Sequence, residues 1–112
     1  MRFEESTEGN ILIAKVLDVR IGADVAPRFK EDMIGYVKRG NHAIVLDLSN
    51  VSFIDSSGLG ALISCLKSMG SDRELVLCGT RGTVTSMFKL TRMDKVFRMF
   101  SNSDEAVSAL SC

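Results

Sequence analysis

Three short segments of this chain are too apolar to lie on a half-exposed surface, and stretches with helical spacing separate them. Ile11 to Val19 is almost continuously apolar, with Lys15 and Asp18 as its polar interruptions. Ala43-Ile-Val-Leu-Asp-Leu48 and Leu75-Val-Leu-Cys78 are the other two. Strands buried on both faces have this composition, and they belong to parallel sheets covered by helices. After the first segment, Ala26, Phe29, Met33 and Val37 recur at helical intervals, while Arg28, Lys30, Glu31, Lys38 and Arg39 fall elsewhere. Asp24 is placed to cap that helix, Pro27 falls in its first turn, where a missing N–H is harmless, and Gly40-Asn41 closes it. After the second segment, Leu59, Leu62, Ile63, Leu66 and Met69 form the stripe of a second helix ended by Gly70. Val84, Met87 and Phe88 mark a third helix from about Thr83 to Leu90. Val96, Phe97, Met99 and Phe100 suggest a last strand, and Ser103 opens a closing helix that bears Val107 and Leu110. Phe3 and its neighbours are expected to pair with the first buried strand through a Glu8-Gly9-Asn10 turn. The alternation predicts an α/β domain on a mainly parallel sheet.

A length of 112 residues fits one domain. Charge narrows the partners. Lys plus Arg total 14 and so do Asp plus Glu, so no net field favours a nucleic acid or an anionic membrane. Arg81, Lys89, Arg92, Lys95 and Arg98 face Asp94 alone over one stretch, which reads as a solvated face that an acidic partner would fit. Cys65, Cys78 and Cys112 are odd in number and show no C-x-x-C spacing, so reduced thiols in a cytoplasmic protein are expected, with no zinc site. Cys65 and Cys78 lie inside apolar segments and read as small core residues. No apolar run reaches bilayer length, and Met-Arg-Phe-Glu-Glu does not open as a signal peptide does. The six methionines are scattered and read as core filler.

The functional question centres on Leu46-Asp-Leu-Ser-Asn-Val-Ser-Phe-Ile-Asp-Ser-Ser-Gly-Leu-Gly60. It delivers Asp55, Ser56 and Ser57 to a helix start. A nucleophilic serine needs a base, and the one histidine, His42, sits in a Gly-Asn-His turn. Ile54 and Asp55 also precede the serines where G-x-S-x-G would need glycine. No enzyme activity is therefore expected. Gly58-Leu59-Gly60 lies where amides can receive phosphate, but G-x-G-x-x-G is incomplete because position 63 is Ile. A tight turn and close helix packing are the simpler role for these glycines. Ser56 or Ser57 could cap the helix, contributing about 1 kcal/mol. A hydroxyl there could instead accept a phosphate, whose charge the helix dipole tolerates. Local physics favours the cap.

Ile44 to Leu62, read as Ile-Val-Leu-Asp-Leu-Ser-Asn-Val-Ser-Phe-Ile-Asp-Ser-Ser-Gly-Leu-Gly-Ala-Leu, resembles the signature of STAS domains, specifically bacterial anti-sigma factor antagonists. Lys89 to Phe97 is similar to the family's third-helix exit and Asp104-Glu-Ala106 to its closing helix, so the resemblance covers nearly the whole chain, as a single domain over 1–112. It implies a small mixed, mainly parallel sheet of four to five strands with helices mostly on one face. It also implies partner switching. An unphosphorylated antagonist binds an anti-sigma factor that is also a serine kinase of the histidine-kinase-like ATPase class. That kinase phosphorylates the first serine after the aspartate, here Ser56, binding is lost, and a PP2C-type phosphatase restores it. Asp55, Ser57 and Gly58 match the motif around the acceptor.

The expected docking surface is Ser49, Asn50, Ser52 and Phe53, then Leu59, Gly60, Ser64, Lys67 and Ser68 along the second helix. One departure stands out. Many members carry an acid before the first helix, as in Gly-x-Leu-Asp, where this chain has Val19-Arg-Ile-Gly22 with Asp24 two residues later. That puts partner choice, not the phosphoacceptor motif, in question. The rival readings are a STAS subunit of a lipid-transport ATPase complex and a nucleotide-binding module using Gly58 and Gly60. No cofactor, metal, nucleic-acid partner or membrane insertion is expected.

Overall fold

The computed structural model describes residues 2–70 and 73–111; Cys112 lies outside them. Four parallel or antiparallel pairings build one sheet from β1 (Phe3–Glu8), β2 (Ile11–Val16), β4 (Ala43–Asp47), β6 (Glu74–Cys78) and β7 (Arg98–Phe100), in spatial order β1-β2-β4-β6-β7. β1 and β2 form an antiparallel hairpin, Phe3 opposite Val16 and Glu8 opposite Ile11. Gly9 turns between them at φ +61, a value glycine adopts without strain. The remaining pairs are parallel, with Ile11 opposite Ala43 and Ala43 opposite Glu74. The expected mixed, mainly parallel sheet is what the chain forms.

The first buried strand is shorter than its apolar run. β2 ends at Val16, and a two-residue β3 (Arg20–Ile21) follows, paired in parallel with β5 (Phe53–Ile54) as a separate small sheet. Asp18 breaks the run by accepting the Arg2 amide at 2.9 Å. The last strand also starts late. Phe97 packs inward, edge to face with Phe88 at 6.1 Å, while Val96 is exposed. A 3-10 turn, Met93–Lys95, precedes it.

Alternate residues of the central strands face two cores, as a pleated strand requires. Leu12, Ala14, Ile44, Leu46, Leu75 and Leu77 meet α1 (Ala26–Lys38), α2 (Ser56–Ser68) and α3 (Gly82–Leu90). Ile11, Val45, Val76 and Cys78 meet α4 (Ser103–Ser111) through Ala106, Val107 and Leu110. Three helices on one face and one on the other match the expected layering. Phe29, Met33, Leu62 and Phe88 are fully buried, and each such side chain contributes about 1.5–3 kcal/mol. Cys65 and Cys78 are core residues as expected, and burial pushes their thiols up to about 11 and about 12.

Two expectations about helices change. Asp24 does not cap α1; the boundary residue is Val25, with no side-chain cap, and the Gly22 carbonyl accepts from Val25 and Ala26 instead. The core face of α2 is Gly58, Ala61, Leu62, Cys65 and Met69, while Leu59, Ile63 and Leu66 are half-buried at its margin. Ala61 lines the groove against α1, and Gly58 sits hard against Ile21 and Ile54 of the small sheet, so both contacts admit small residues where the larger leucines beside them would not fit.

Candidate functional site

The small β3–β5 sheet determines how the chain enters α2. Phe53 and Ile54 pair with Arg20 and Ile21, and the Asp55 amide continues the ladder by donating to the Ile21 carbonyl at 3.2 Å. Asp55 stays extended, at φ −93 and ψ −176, which turns its carboxylate back over the first helical turn. One oxygen accepts the Gly58 amide at 3.0 Å, and the other accepts the Ala23 amide at 3.1 Å. The carboxylate is therefore the cap of α2 and also a tie to the loop before α1. The Gly58 amide is the main reason its carboxyl lies below the usual aspartate value; partial burial opposes it, and the Ala23 and Ser57 amides and the Arg20 charge add to it.

Neither serine is the cap. Ser56 and Ser57 are the first two helical residues, both exposed, and their hydroxyls form no hydrogen bond among the described residues. A carboxylate one residue earlier does the capping that local physics assigned to a serine.

The two glycines of Gly58-Leu59-Gly60 differ. A Cβ at Gly58 would collide with the Ile21 carbonyl oxygen and lie 2.9 Å from the side-chain methyls of Ile21 and Ile54. At Gly60 nothing lies within 4 Å. Gly58 thus serves close packing, and its N–H is already engaged by Asp55.

The preceding turn is held at several points. Asp47 accepts the Ser49 amide at 2.8 Å, and Arg81 donates to the Ser49 carbonyl at 2.6 Å. Asn50 reaches the Leu17 carbonyl at 2.8 Å, and the Ser52 amide and hydroxyl both donate to the Val19 carbonyl. Phe53 is 39% exposed, and the Arg20 guanidinium lies over its ring at 5.0 Å. Along α2, Ser57, Gly60 and Ser64 line a groove of about 530 Å³ with Ala23, Pro27 and Lys30 of the opposite wall. Leu59 is half-buried on another side of the helix, and Lys67 and Ser68 are exposed in its last turn, with the Ser68 hydroxyl donating to the Ser64 carbonyl. The structure therefore gathers Ser49 to Gly58 at one end of the sheet and leaves Lys67 and Ser68 at the far end of α2. Arg20, Ala23, Lys30 and Arg81 were missed from the sequence. They come from distant segments, and nothing in the 46–60 stretch points to them.

His42 is exposed in its turn. Among the described residues no group of three or more His, Cys, Asp or Glu side chains could hold a metal ion, and no helix is long and apolar enough to cross a membrane.

The mixed sheet thus presents an exposed hydroxyl pair at an aspartate-capped helix start. Residues 9–106 match the model of the STAS domain, and the chain belongs to that family. An anti-sigma-B factor antagonist of Staphylococcus aureus is 29% identical over 82 residues, 69% of this chain and 76% of that one. The crystal structure of an anti-sigma factor antagonist from Mycobacterium paratuberculosis has a TM-score of 0.89 at 25% identity, covering 99% of this chain and 94% of that one. The phosphorylated form of the Bacillus cell fate determinant SpoIIAA shares the fold, with a TM-score of 0.71 at 15% identity over 97% of this chain and 99% of that one.

Proposed function

We propose that this protein is an anti-sigma factor antagonist. It binds an anti-sigma factor that is also a serine kinase of the histidine-kinase-like ATPase class, and phosphate on Ser56 switches that binding off. One observation carries the reading: Asp55 caps α2, so the Ser56 hydroxyl stands exposed at a helix N-terminus with no structural duty. A phosphate there gains from the helix dipole, so the fold tolerates it. It also places roughly −1.5 to −2 charges beside Asp55, and a partner seated over the same turn meets that charge directly. The names of the relatives support the antagonist role, and a phosphorylated protein of the same fold supports the switch. A PP2C-type phosphatase completes the cycle.

The docking face would run from the Ser49–Phe53 turn across Asp55 to Gly58, into the groove lined by Ser57, Gly60 and Ser64. Incubation with the kinase and ATP is expected to add one phosphate, mapped by peptide sequencing to Ser56, and to abolish co-elution with the kinase. Ser56→Ala should bind without being modified, and Ser56→Asp should bind more weakly. Phosphate on Ser57 instead would refute the site. Undiminished binding after Ser56 modification would refute the switch.

A further inference from the structure

β1, six residues long, forms one edge of the main sheet, and among the described residues it pairs only with β2. The Leu17 amide donates to the Arg2 carbonyl at 3.0 Å. That bond sets the alternation of the hairpin. Glu4, Ser6 and Glu8 bond toward β2, while Phe3, Glu5 and Thr7 turn their amides and carbonyls outward. No segment among the described residues bonds those outward groups. An open row of this kind is a template for one more strand.

The side chains of the same residues open onto a pocket against α1. Phe3 stacks on Phe29 at 6.1 Å and meets Tyr36 edge to face at 5.4 Å. One Glu5 oxygen accepts the Tyr36 hydroxyl at 3.0 Å, and the other accepts the Arg39 guanidinium at 2.8 Å. Beside them lies a pocket of about 400 Å³, whose walls join Phe3 and Glu5 to Glu31, Asp32, Tyr36 and Arg39. Arg39 is the one cation of that lining, and Glu5 already holds it. Glu31 and Asp32 make no ion pair among the described residues. Arg28 and Lys38 of α1 lie outside the lining. On the other face of the strand, Glu4 and Glu8 add two carboxylates, with Lys15 opposite Glu4 and Arg2 just before the strand. The pocket therefore keeps an excess of negative charge beside an unpaired backbone.

We propose that an extended basic segment of a partner protein adds to β1 as a further strand, with a cationic side chain opposite Glu5 reaching Glu31 and Asp32. Directly paired residues project to the same face of a sheet, so a side chain paired with Glu5 emerges at the pocket. Its aliphatic stem lies along Phe3 and Tyr36, and its charge meets the two unpaired carboxylates. Main-chain bonds supply affinity in this mode, and the pocket supplies specificity. A second copy fits less well. The antiparallel registers centred on Glu5 and on Ser6 set Glu5 against Glu5 and Glu4 against Glu8, which repel. A nucleic acid meets the same carboxylates, and among the described residues no acidic group could hold a metal ion. The inference is independent of the Ser56 switch and survives its failure.

The test titrates the isotope-labelled full chain with a blocked hexapeptide that alternates valine and arginine. Amide shifts are expected on residues 3–8 and 31–39, with slowed hydrogen exchange at the Phe3, Glu5 and Thr7 amides. Affinity should fall about tenfold when the arginine amides of the peptide are N-methylated, and about fivefold for Glu31→Gln combined with Asp32→Asn. Thr7→Pro removes an outward N–H and no bond within the sheet, so it should keep the melting temperature while weakening binding. Equal binding of a peptide with glutamate in place of arginine would overturn the proposal. So would no binding of the arginine peptide, the outcome if the glutamates merely keep the edge unpaired. Shifts centred on other residues, or undiminished binding after N-methylation, would overturn it too. Concentration-dependent dimerisation through β1 would give the edge to a second copy instead.

Discussion

α2 and α3 both follow a parallel strand at the same end of the sheet, yet they begin in different ways. α2 is entered through Asp55, whose two oxygens bond the helix's own Gly58 amide and the Ala23 amide of a distant loop. α3 starts after Arg81 with no side-chain cap. Arg81 instead sends its guanidinium to the Ser49 carbonyl, on the turn that leads into α2. One start is a junction of three segments, and the other is a buttress for it. The hydrogen bonds at this end of the sheet thus converge on holding the Ser49–Ser57 chain in place, while the two serine hydroxyls are left out of the network. That division of labour separates the residues that shape the surface from the two whose hydroxyls are left unbonded on it.

The sharpest way to break the contrast is Gly58→Ala. A Cβ there meets backbone rather than a flexible side-chain end, so the loss should be about 3 kcal/mol, the upper end for overpacking. Urea unfolding measures it, and a change below about 0.5 kcal/mol would mean that β3 does not press on α2. Next comes Asp55→Ala, which removes both bonds of the carboxylate. Its melting temperature should drop by roughly 4–8 °C, against a smaller drop for any substitution at the uncapped start of α3.

Asp55→Asn removes the titrating charge and one of the two acceptors, since the asparagine NH2 must face either the Gly58 or the Ala23 amide, so the pH dependence of its stability rather than the level isolates the charge. The folded carboxyl titrates below the ordinary value of 3.8. Asp55 therefore contributes stability that is present above about pH 4 and lost as the pH falls through that value and below. The wild-type protein should accordingly lose more stability than Asp55→Asn between neutral pH and about pH 3. Glu5, also held low, chiefly by its hydrogen bond from Arg39, is common to both proteins and cancels in the difference.

Much of this fold is legible in the sequence because its strands are buried on both faces. Ile44, Val45 and Leu46 leave little choice of environment, and the spacing of Phe29, Met33 and Val37 orients α1. Hydrophobicity ranks leucine above glycine and alanine, so the sequence points Leu59 and Leu66 to the core; both do pack against it, but half-buried at its margin, and the fully covered positions are Gly58, pressed on β3 and β5, and Ala61, beside α1. β3 and β5, two residues each, carry no periodicity to detect. In the sequence the hydroxyls draw attention to the candidate site, while in the fold Asp55 organises that helix start. The signal was present, since aspartate ranks with serine as a cap; what the sequence lacks is the Ala23 amide, which only the folded loop supplies.

Arg81→Ala tests the buttress. One charged donor leaves an exposed carbonyl that water can satisfy, so the global cost should be about 1 kcal/mol or less. Its effect should be local: faster hydrogen exchange at the Val51 and Ser52 amides, with the amides of α3 unchanged. Equal acceleration in α3 would show that Arg81 supports its own helix rather than the turn.

The smallest expected effect is the most decisive for the site. Were Ser56 or Ser57 the cap of α2, replacing it with alanine would cost about 1 kcal/mol. Because Asp55 holds that role, Ser56→Ala and Ser57→Ala should each stay within about 0.5 kcal/mol of wild type. Near-equal unfolding midpoints beside unequal kinase modification would then place the difference between the two serines in recognition, not in folding. A clear loss at either serine would return it to the structural role and weaken the case for a hydroxyl held free.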